Sequence, residues 1–311
     1  MVKIDVVSGF LGAGKTTLIK KMLKAYSDQK VVLIENEFGE IGIDGDLVKR
    51  DGFDVFEITA GCICCIMKND FVKVFQKVLD EFKPDRIIIE PTGISILSEI
   101  INVLNKPDFQ GKCTINSLIT IVDGINYLEH RDIFGEFFED QITNAGTLII
   151  SKSQFVDEQK IKEIINSLKE LNSKAPIITS NWSEMPKEDI RALFNMDLDV
   201  DFQDLFYAQY KPCSDNQFDT IGIKTLKKYT KVTLKEVLEK LKSSQYGRVL
   251  RGKGFVKGID GDLEFSLAGE EYEIYPSKNA STGKLCIIGQ NLKVKEIKEL
   301  FKSKVGRLLK W

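Results

Sequence analysis

A chain of 311 residues exceeds what most single hydrophobic cores enclose, so two domains is the starting expectation. With 43% apolar residues, 29% charged residues and only 7 prolines, it has the side chains to bury a core and lacks the compositional bias of a disordered chain. Lys plus Arg (44) against Asp plus Glu (46) leaves a net charge of -2, which excludes a large positive field and, with it, nucleic acid as the main partner.

From residue 1 to about 180, short β-branched runs alternate with helical patterns, which predicts repeated βαβ units and a mainly parallel sheet covered on both faces. Strands are expected at 2–7, 30–35, 53–58, 85–90, 114–122, 146–150 and 176–179, and helices at 15–26, 69–82, 94–105 and 157–172. The N-terminus runs through the first strand straight into a glycine loop with no apolar leader core, and no 18-residue apolar run follows; both predict a cytoplasmic protein with no membrane partner.

That strand runs into Gly9-Phe10-Leu11-Gly12-Ala13-Gly14-Lys15-Thr16, a full phosphate-loop pattern in the strand-to-helix context that such a match requires. Its backbone N–H groups, from Gly9 through Gly12, Ala13 and Gly14 to Thr17, are placed to face phosphate oxygens at a helix N-terminus. Lys15 is expected to neutralise the β/γ-phosphates and the Thr16 hydroxyl to ligate Mg2+.

After the second strand, residues 34–44 gather carboxylates and glycines, Glu37 and Glu40 among them, as in a switch that rearranges when a γ-phosphate leaves; alone, the segment reads equally as an acidic loop. Next come Gly61-Cys62-Ile63-Cys64-Cys65, too close in sequence to pair easily. Three thiolates at Cys62, Cys64 and Cys65 suit one Zn2+ or a similar ion, with a carboxylate, water or another group as a fourth ligand; the alternative is a redox-sensing or incidental cluster. Cys113, Cys213 and Cys286 are scattered and read as plain thiols.

The run Arg86-Ile87-Ile88-Ile89-Glu90-Pro91-Thr92-Gly93 ends a buried strand on Glu90, an acid for the Mg2+ shell or for a helix cap, while Gly93 allows backbone to approach a γ-phosphate. Glu37 or Glu90 is the residue expected to orient the attacking water. Asp123 closes a later apolar strand and is either functional or a cap. The single histidine, His130, sits among charges and is expected at a surface or helix end.

Around 195–216 the pattern turns acidic and rich in turn residues, a linker. Beyond it the order strand (218–226), helix (233–243), strands (253–258, 262–267, 284–289) and helix (293–303) predicts a smaller α+β domain with antiparallel strands.

Taken together, Gly9 to Thr17, Glu35-Asn36-Glu37-Phe38-Gly39-Glu40, the cysteine triplet and Glu90-Pro91-Thr92-Gly93 resemble, in order and spacing, the CobW-type family of P-loop GTPases. Tyr246-Gly247-Arg248-Val249-Leu250-Arg251-Gly252-Lys253-Gly254-Phe255 and Leu285-Cys286-Ile287-Ile288-Gly289 look like the CobW C-terminal domain, so the resemblance covers nearly the whole chain. More distantly it is similar to the nickel-insertion GTPases that mature urease and hydrogenase.

The resemblance implies a P-loop GTPase domain over 1–200, a linker over 201–216 and a CobW C-terminal-like domain over 217–311. It implies GTP and Mg2+ as cofactors, Zn2+ or Co2+ at Cys62, Cys64 and Cys65, and transfer of that ion to a client protein or cofactor pathway. In the family, acids at the places of Glu37 and Glu40 are associated with switching and metal contacts. A homo-oligomer is left open.

One departure stands out: where the family reads guanine with Asn-Lys-x-Asp, this chain has Ser151-Lys152-Ser153-Gln154. Lys152 can still cover the base with its aliphatic stem, but Gln154 offers a neutral oxygen beside a competing donor. Losing a charge-assisted pair costs about 1.5–3 kcal/mol, enough to blur GTP against ATP without abolishing binding through the phosphates. That substitution supports an alternative reading, a metal- or redox-responsive nucleotide-binding partner module with little turnover; a kinase on the same scaffold lacks a visible acceptor site.

Overall fold

The computed structural model describes residues 1–37, 47–50, 53–59, 67–182, 185–194, 219–269, 271–277 and 283–302. The chain divides into two compact units, the first ending, among described residues, at Phe194 and the second beginning at Asp219. The expected linker 201–216 lies outside the described residues.

The first unit runs β1 (Val2–Gly9), α1 (Lys15–Ala25), β2 (Val31–Glu37), β3 (Leu47–Arg50), β4 (Phe53–Thr59), α2 (Met67–Lys77), β5 (Arg86–Glu90), α3 (Leu97–Leu104), β6 (Cys113–Asp123), α4 (Tyr127–Thr143), β7 (Thr147–Ser151), α5 (Glu158–Leu171), β8 (Ile177–Ile178) and α6 (Lys187–Phe194). Its strands form one sheet in the order β3-β4-β2-β5-β1-β6-β7-β8. Every neighbouring pair is parallel except β3 with β4.

Because side chains alternate across a strand, each central strand feeds two cores. Ile4 and Val6 of β1, Val32 and Ile34 of β2, and Ile87 and Ile89 of β5 pack with Phe71 and Phe75 of α2 and Leu97 and Ile101 of α3. Val7, Leu33 and Ile88 face the other way, onto Leu18 and Met22 of α1 and Ile190 and Phe194 of α6. Burial on both faces is why these strands are continuous apolar runs.

Three elements of this unit escaped the sequence reading. β3 is only four residues and pairs antiparallel at the sheet edge. α4 is broken at Gly135 (φ 49, ψ -133), so no single apolar stripe runs its length. α6 is short and mostly charged outside Ile190, Leu193 and Phe194. The helix expected over 69–82 is α helical to Lys77 and widens to a π turn over Val78–Phe82, and the one expected from 94 starts at Leu97, after a turn over 92–95.

Halfway along β1 the second core carries a charged knot. Asp5 and Arg86, both fully buried, form an ion pair. Asn116 Nδ2 and Ser117 Oγ each donate to Asp5 Oδ1 at 2.7 Å, Arg86 Nε donates to Gln29 Oε1 at 3.3 Å, and the guanidinium lies 3.9 Å from the centre of the Tyr26 ring. Cross-strand bonding of this density is what a buried ion pair requires.

The second unit comprises β9 (Asp219–Lys224), β10 (Lys228–Tyr229), α7 (Lys231–Leu241), β11 (Arg248–Gly258), β12 (Leu263–Ala268), β13 (Glu271–Pro276), β14 (Lys284–Gln290) and α8 (Val294–Phe301). Strands β13-β12-β11-β14-β9 pair antiparallel in that order, with β10 beside the end of β11. Phe265, Leu267, Leu285 and Ile287 form a core with Leu234 and Leu238 of α7 and Ile297 and Phe301 of α8. The fold is therefore a parallel-sheet P-loop domain followed by a smaller α+β domain with an antiparallel sheet. Among the described residues no helix is long and apolar enough to cross a membrane.

Candidate functional site

The glycine loop lies between β1 and α1, at the carboxyl edge of the parallel strands. Gly9, at φ 138, is backed so closely by β6 that a Cβ there would run into the Ile121 carbonyl oxygen. Gly14 is the N-cap of α1 and offers no side-chain hydrogen bond to the helix. A helix start leaves its first N–H groups without intrahelical partners, and an anion satisfies them.

Lys15 is only 4% exposed, and its ammonium donates to the carbonyls of Gly9 at 2.8 Å and Phe10 at 3.2 Å, folding back over its own loop. Beside it, the Thr16 hydroxyl donates to Glu90 Oε1 at 3.1 Å, across 74 residues of sequence. Glu35, buried in β2, is the register partner of Glu90. A hydroxyl and a carboxylate meeting at a helix start are hard oxygen donors of the kind Mg2+ prefers.

Gly93 meets the loop from the other side: a Cβ on it would sit 2.6 Å from the Leu11 nitrogen, so only glycine allows this approach of two backbones. Trp182 closes the site near Gly14, where a Cβ would lie 3.6 Å from its ring. Thr17 and Thr16 are exposed at the mouth, whereas Ala13 is buried beneath.

At the far end, β7 delivers Ser151, and Lys152 follows in a left-handed conformation (φ 57). Its ammonium pairs with Asp123 Oδ2 at 2.8 Å. Asp123 also accepts from the Ile125 N–H at 2.9 Å and Asn126 Nδ2 at 3.0 Å, so it both caps the turn into α4 and anchors Lys152. Gln154 is exposed on the short turn that follows, beside Phe155 at 72% exposure.

The structure thus brings together Gly9, Gly12, Ala13, Gly14, Lys15, Thr16, Thr17, Glu90 and Gly93, and places Lys152 and Gln154 on the turn after β7. The backbone of Glu37 ends β2, while its side chain, Glu40, Cys62, Cys64 and Cys65 lie outside the described residues. His130 is not a simple surface residue: it is half-buried in the first turn of α4, with its ring 4.8 Å from that of Phe10 in the phosphate loop. Trp182, the Asp123–Lys152 pair and this aromatic contact were missed because each joins residues far apart in sequence that match no local pattern.

Comparison with known proteins follows the same division. Residues 3–179 match the family described as CobW/HypB/UreG, nucleotide-binding domain, and residues 218–305 match the cobalamin synthesis protein cobW C-terminal domain. The chain is 33% identical to the zinc chaperone CobW of Sinorhizobium sp over 55% of this chain and 56% of that protein. It is 23% identical to the zinc-regulated GTPase metalloprotein activator 1 of Saccharomyces cerevisiae over 97% of this chain and 83% of that one. The matched stretch spans about half to three-fifths of the length of the bacterial zinc chaperones it resembles. A solved structure of the Zn(II)-bound YjiA GTPase from E. coli aligns with 96% of this chain and 98% of its own, at 22% identity and a TM-score of 0.49.

Proposed function

This chain belongs to the CobW/HypB/UreG family, and from that premise we propose that it is a GTP-dependent metal chaperone, coupling nucleotide binding and slow hydrolysis to the transfer of zinc, cobalt or a similar ion to a client protein or cofactor pathway. The observation that carries this reading is the joint placement of buried Lys15 and the Thr16–Glu90 contact at the head of α1, with Gly93 packed on the loop. The names of the relatives, zinc chaperones and a zinc-regulated GTPase metalloprotein activator, support the metal half.

In this reading the Lys15 ammonium leaves the carbonyls of Gly9 and Phe10 for the β/γ-phosphates, while the N–H groups of Gly12 to Thr17 line the phosphate chain. Thr16 and Glu90 would hold Mg2+, which would supply charge stabilisation at the phosphates. Glu90 or Glu37 orients the attacking water. The stem of Lys152 covers the base, held in place by Asp123, and Gln154 meets its edge with a neutral amide. Cys62, Cys64 and Cys65, with Glu37 and Glu40, take the transferred ion as substrate. A reduced thiolate cluster needs a reducing compartment, so the reading places the protein in the cytoplasm.

The test is single-turnover GTP hydrolysis by the purified chain with and without Zn2+ or Co2+, alongside metal content after Cys62, Cys64 and Cys65 are each changed to Ala. Expected is slow turnover that metal alters, and stoichiometric metal lost in the variants. Tight nucleotide binding with no phosphate release favours the partner-module reading instead. Metal content unchanged in all three variants removes the cysteines from the proposal.

A further inference from the structure

The segment that carries Gly93 onto the phosphate loop is held from behind by two consecutive residues of α4. Gln141, 1% exposed, spends its side-chain amide on that segment: Nε2 donates to the Gly93 carbonyl at 3.2 Å and to the Ser95 carbonyl at 2.9 Å. Asp140 Oδ1 accepts from the Ser98 N–H at 3.2 Å, where α3 begins, and Asp140 Oδ2 accepts from Asn144 Nδ2 at 2.9 Å. A hydroxyl contact of 2.7 Å between Thr92 and Ser95 closes the turn internally. The helix itself is pinned, since Thr120 Oγ1 of β6 donates to the Gln141 carbonyl at 2.6 Å.

The same helix grips the phosphate loop at its other half. Phe10 packs against Phe134 and Phe138 at ring-centre distances of 4.6 and 5.6 Å, on either side of the break at Gly135. One element therefore bears on both backbones that face each other across the site. Among the described residues Gln141 Oε1 is buried without a hydrogen-bond partner. A buried acceptor left unpaired costs about 1–3 kcal/mol, so a pure packing role would favour an apolar side chain at this place.

We propose that Gln141, with Asp140, is a positioning residue for nucleotide hydrolysis: the Asp140–Gln141 clamp fixes the 93–98 segment so that the Gly93 backbone meets the terminal phosphate of a bound nucleoside triphosphate. This rests on the reading of the glycine loop as a GTP site. Geometry of about an ångström decides phosphoryl transfer, because the protein contributes mainly placement and charge. A nucleoside diphosphate lacks the group that Gly93 meets, so its binding is independent of the clamp.

The test uses the full chain with Mg2+ and compares wild type, Gln141→Leu and Gln141→Met, which keeps the side-chain length and removes both donors. The readouts are Kd for GDP, KM and kcat for GTP, and the thermal midpoint of nucleotide-free protein. Expected in both variants is a fall in kcat of about tenfold with KM and the GDP Kd within about twofold, as loss of two hydrogen bonds made to one loop would give. Unchanged kcat, or an equal loss in kcat and in GDP affinity, overturns the clamp while leaving the GTP site intact. A wild type that neither binds nor hydrolyses GTP overturns the nucleotide reading, and this inference with it.

Discussion

Two buried charges on adjoining segments, Asp5 in β1 and Lys15 at the end of the loop that follows, are treated in opposite ways. Asp5 is bound across the sheet: its partners Arg86, Asn116 and Ser117 come from β5 and β6, 81 to 112 residues away. Lys15 donates to the carbonyls of Gly9 and Phe10, six and five residues away in its own loop. Breaking the first arrangement uncouples three strands, whereas the contacts of Lys15 with the Gly9 and Phe10 carbonyls can be exchanged by rotating its flexible side chain. A charge tied to distant strands maintains the fold; a charge resting on its own loop is placed to change partner.

The largest effect is expected at Asp5. Asp5→Ala leaves the Arg86 guanidinium buried without its carboxylate, which costs about 3–5 kcal/mol; urea unfolding should show a loss of that size, while GDP affinity of the folded fraction is unchanged. Lys15→Ala should do the reverse: hydrolysis drops about 100- to 1000-fold, the scale of removing one preorganised charge donor, with the urea midpoint nearly constant. If Lys15→Ala unfolds the protein and Asp5→Ala spares it, the distinction is wrong.

A smaller effect is expected at the base. Gln154→Asp restores a charged acceptor worth about 1.5–3 kcal/mol, so competition titrations should show GTP gaining on ATP by tenfold or more; an unchanged ratio would mean that the turn after Lys152 does not touch the base. The smallest concerns Asp140, whose carboxyl burial pushes above its ordinary 3.8 against the lowering effect of its bonds from Ser98 and Leu97. A raised value means that the folded chain holds this proton more tightly than the unfolded one. Its contribution therefore favours the fold below 3.8 and is lost as pH rises through the raised value. Asp140→Asn removes that slope, so stability curves of variant and wild type should converge in the acid range and separate in the variant's favour as pH climbs.

The phosphate loop was legible because its chemistry is local: glycines, lysine and threonine within eight positions specify a backbone that can turn around phosphate. Glu90 was legible for a related reason, as a charge ending the run Ile87-Ile88-Ile89 that only a doubly buried strand explains. α4 was not, since its break at Gly135 destroys the periodicity that reveals a helix. Asp123 was found but its role stayed open, because nothing along the chain says that a lysine 29 residues later will reach it.

What the amino-acid order determined by itself was the alternation of the main strands and helices, the phosphate loop, and the family to which they belong. These follow from periodicity and from side chains acting on their immediate neighbours. Only the tertiary structure decided that Thr16 meets Glu90, that Lys152 is anchored by Asp123, and that Asp140 and Gln141 stand behind Gly93. Each of those contacts joins separate elements of the sheet and its helices, and such pairings are fixed by how whole faces pack rather than by any residue's own neighbourhood.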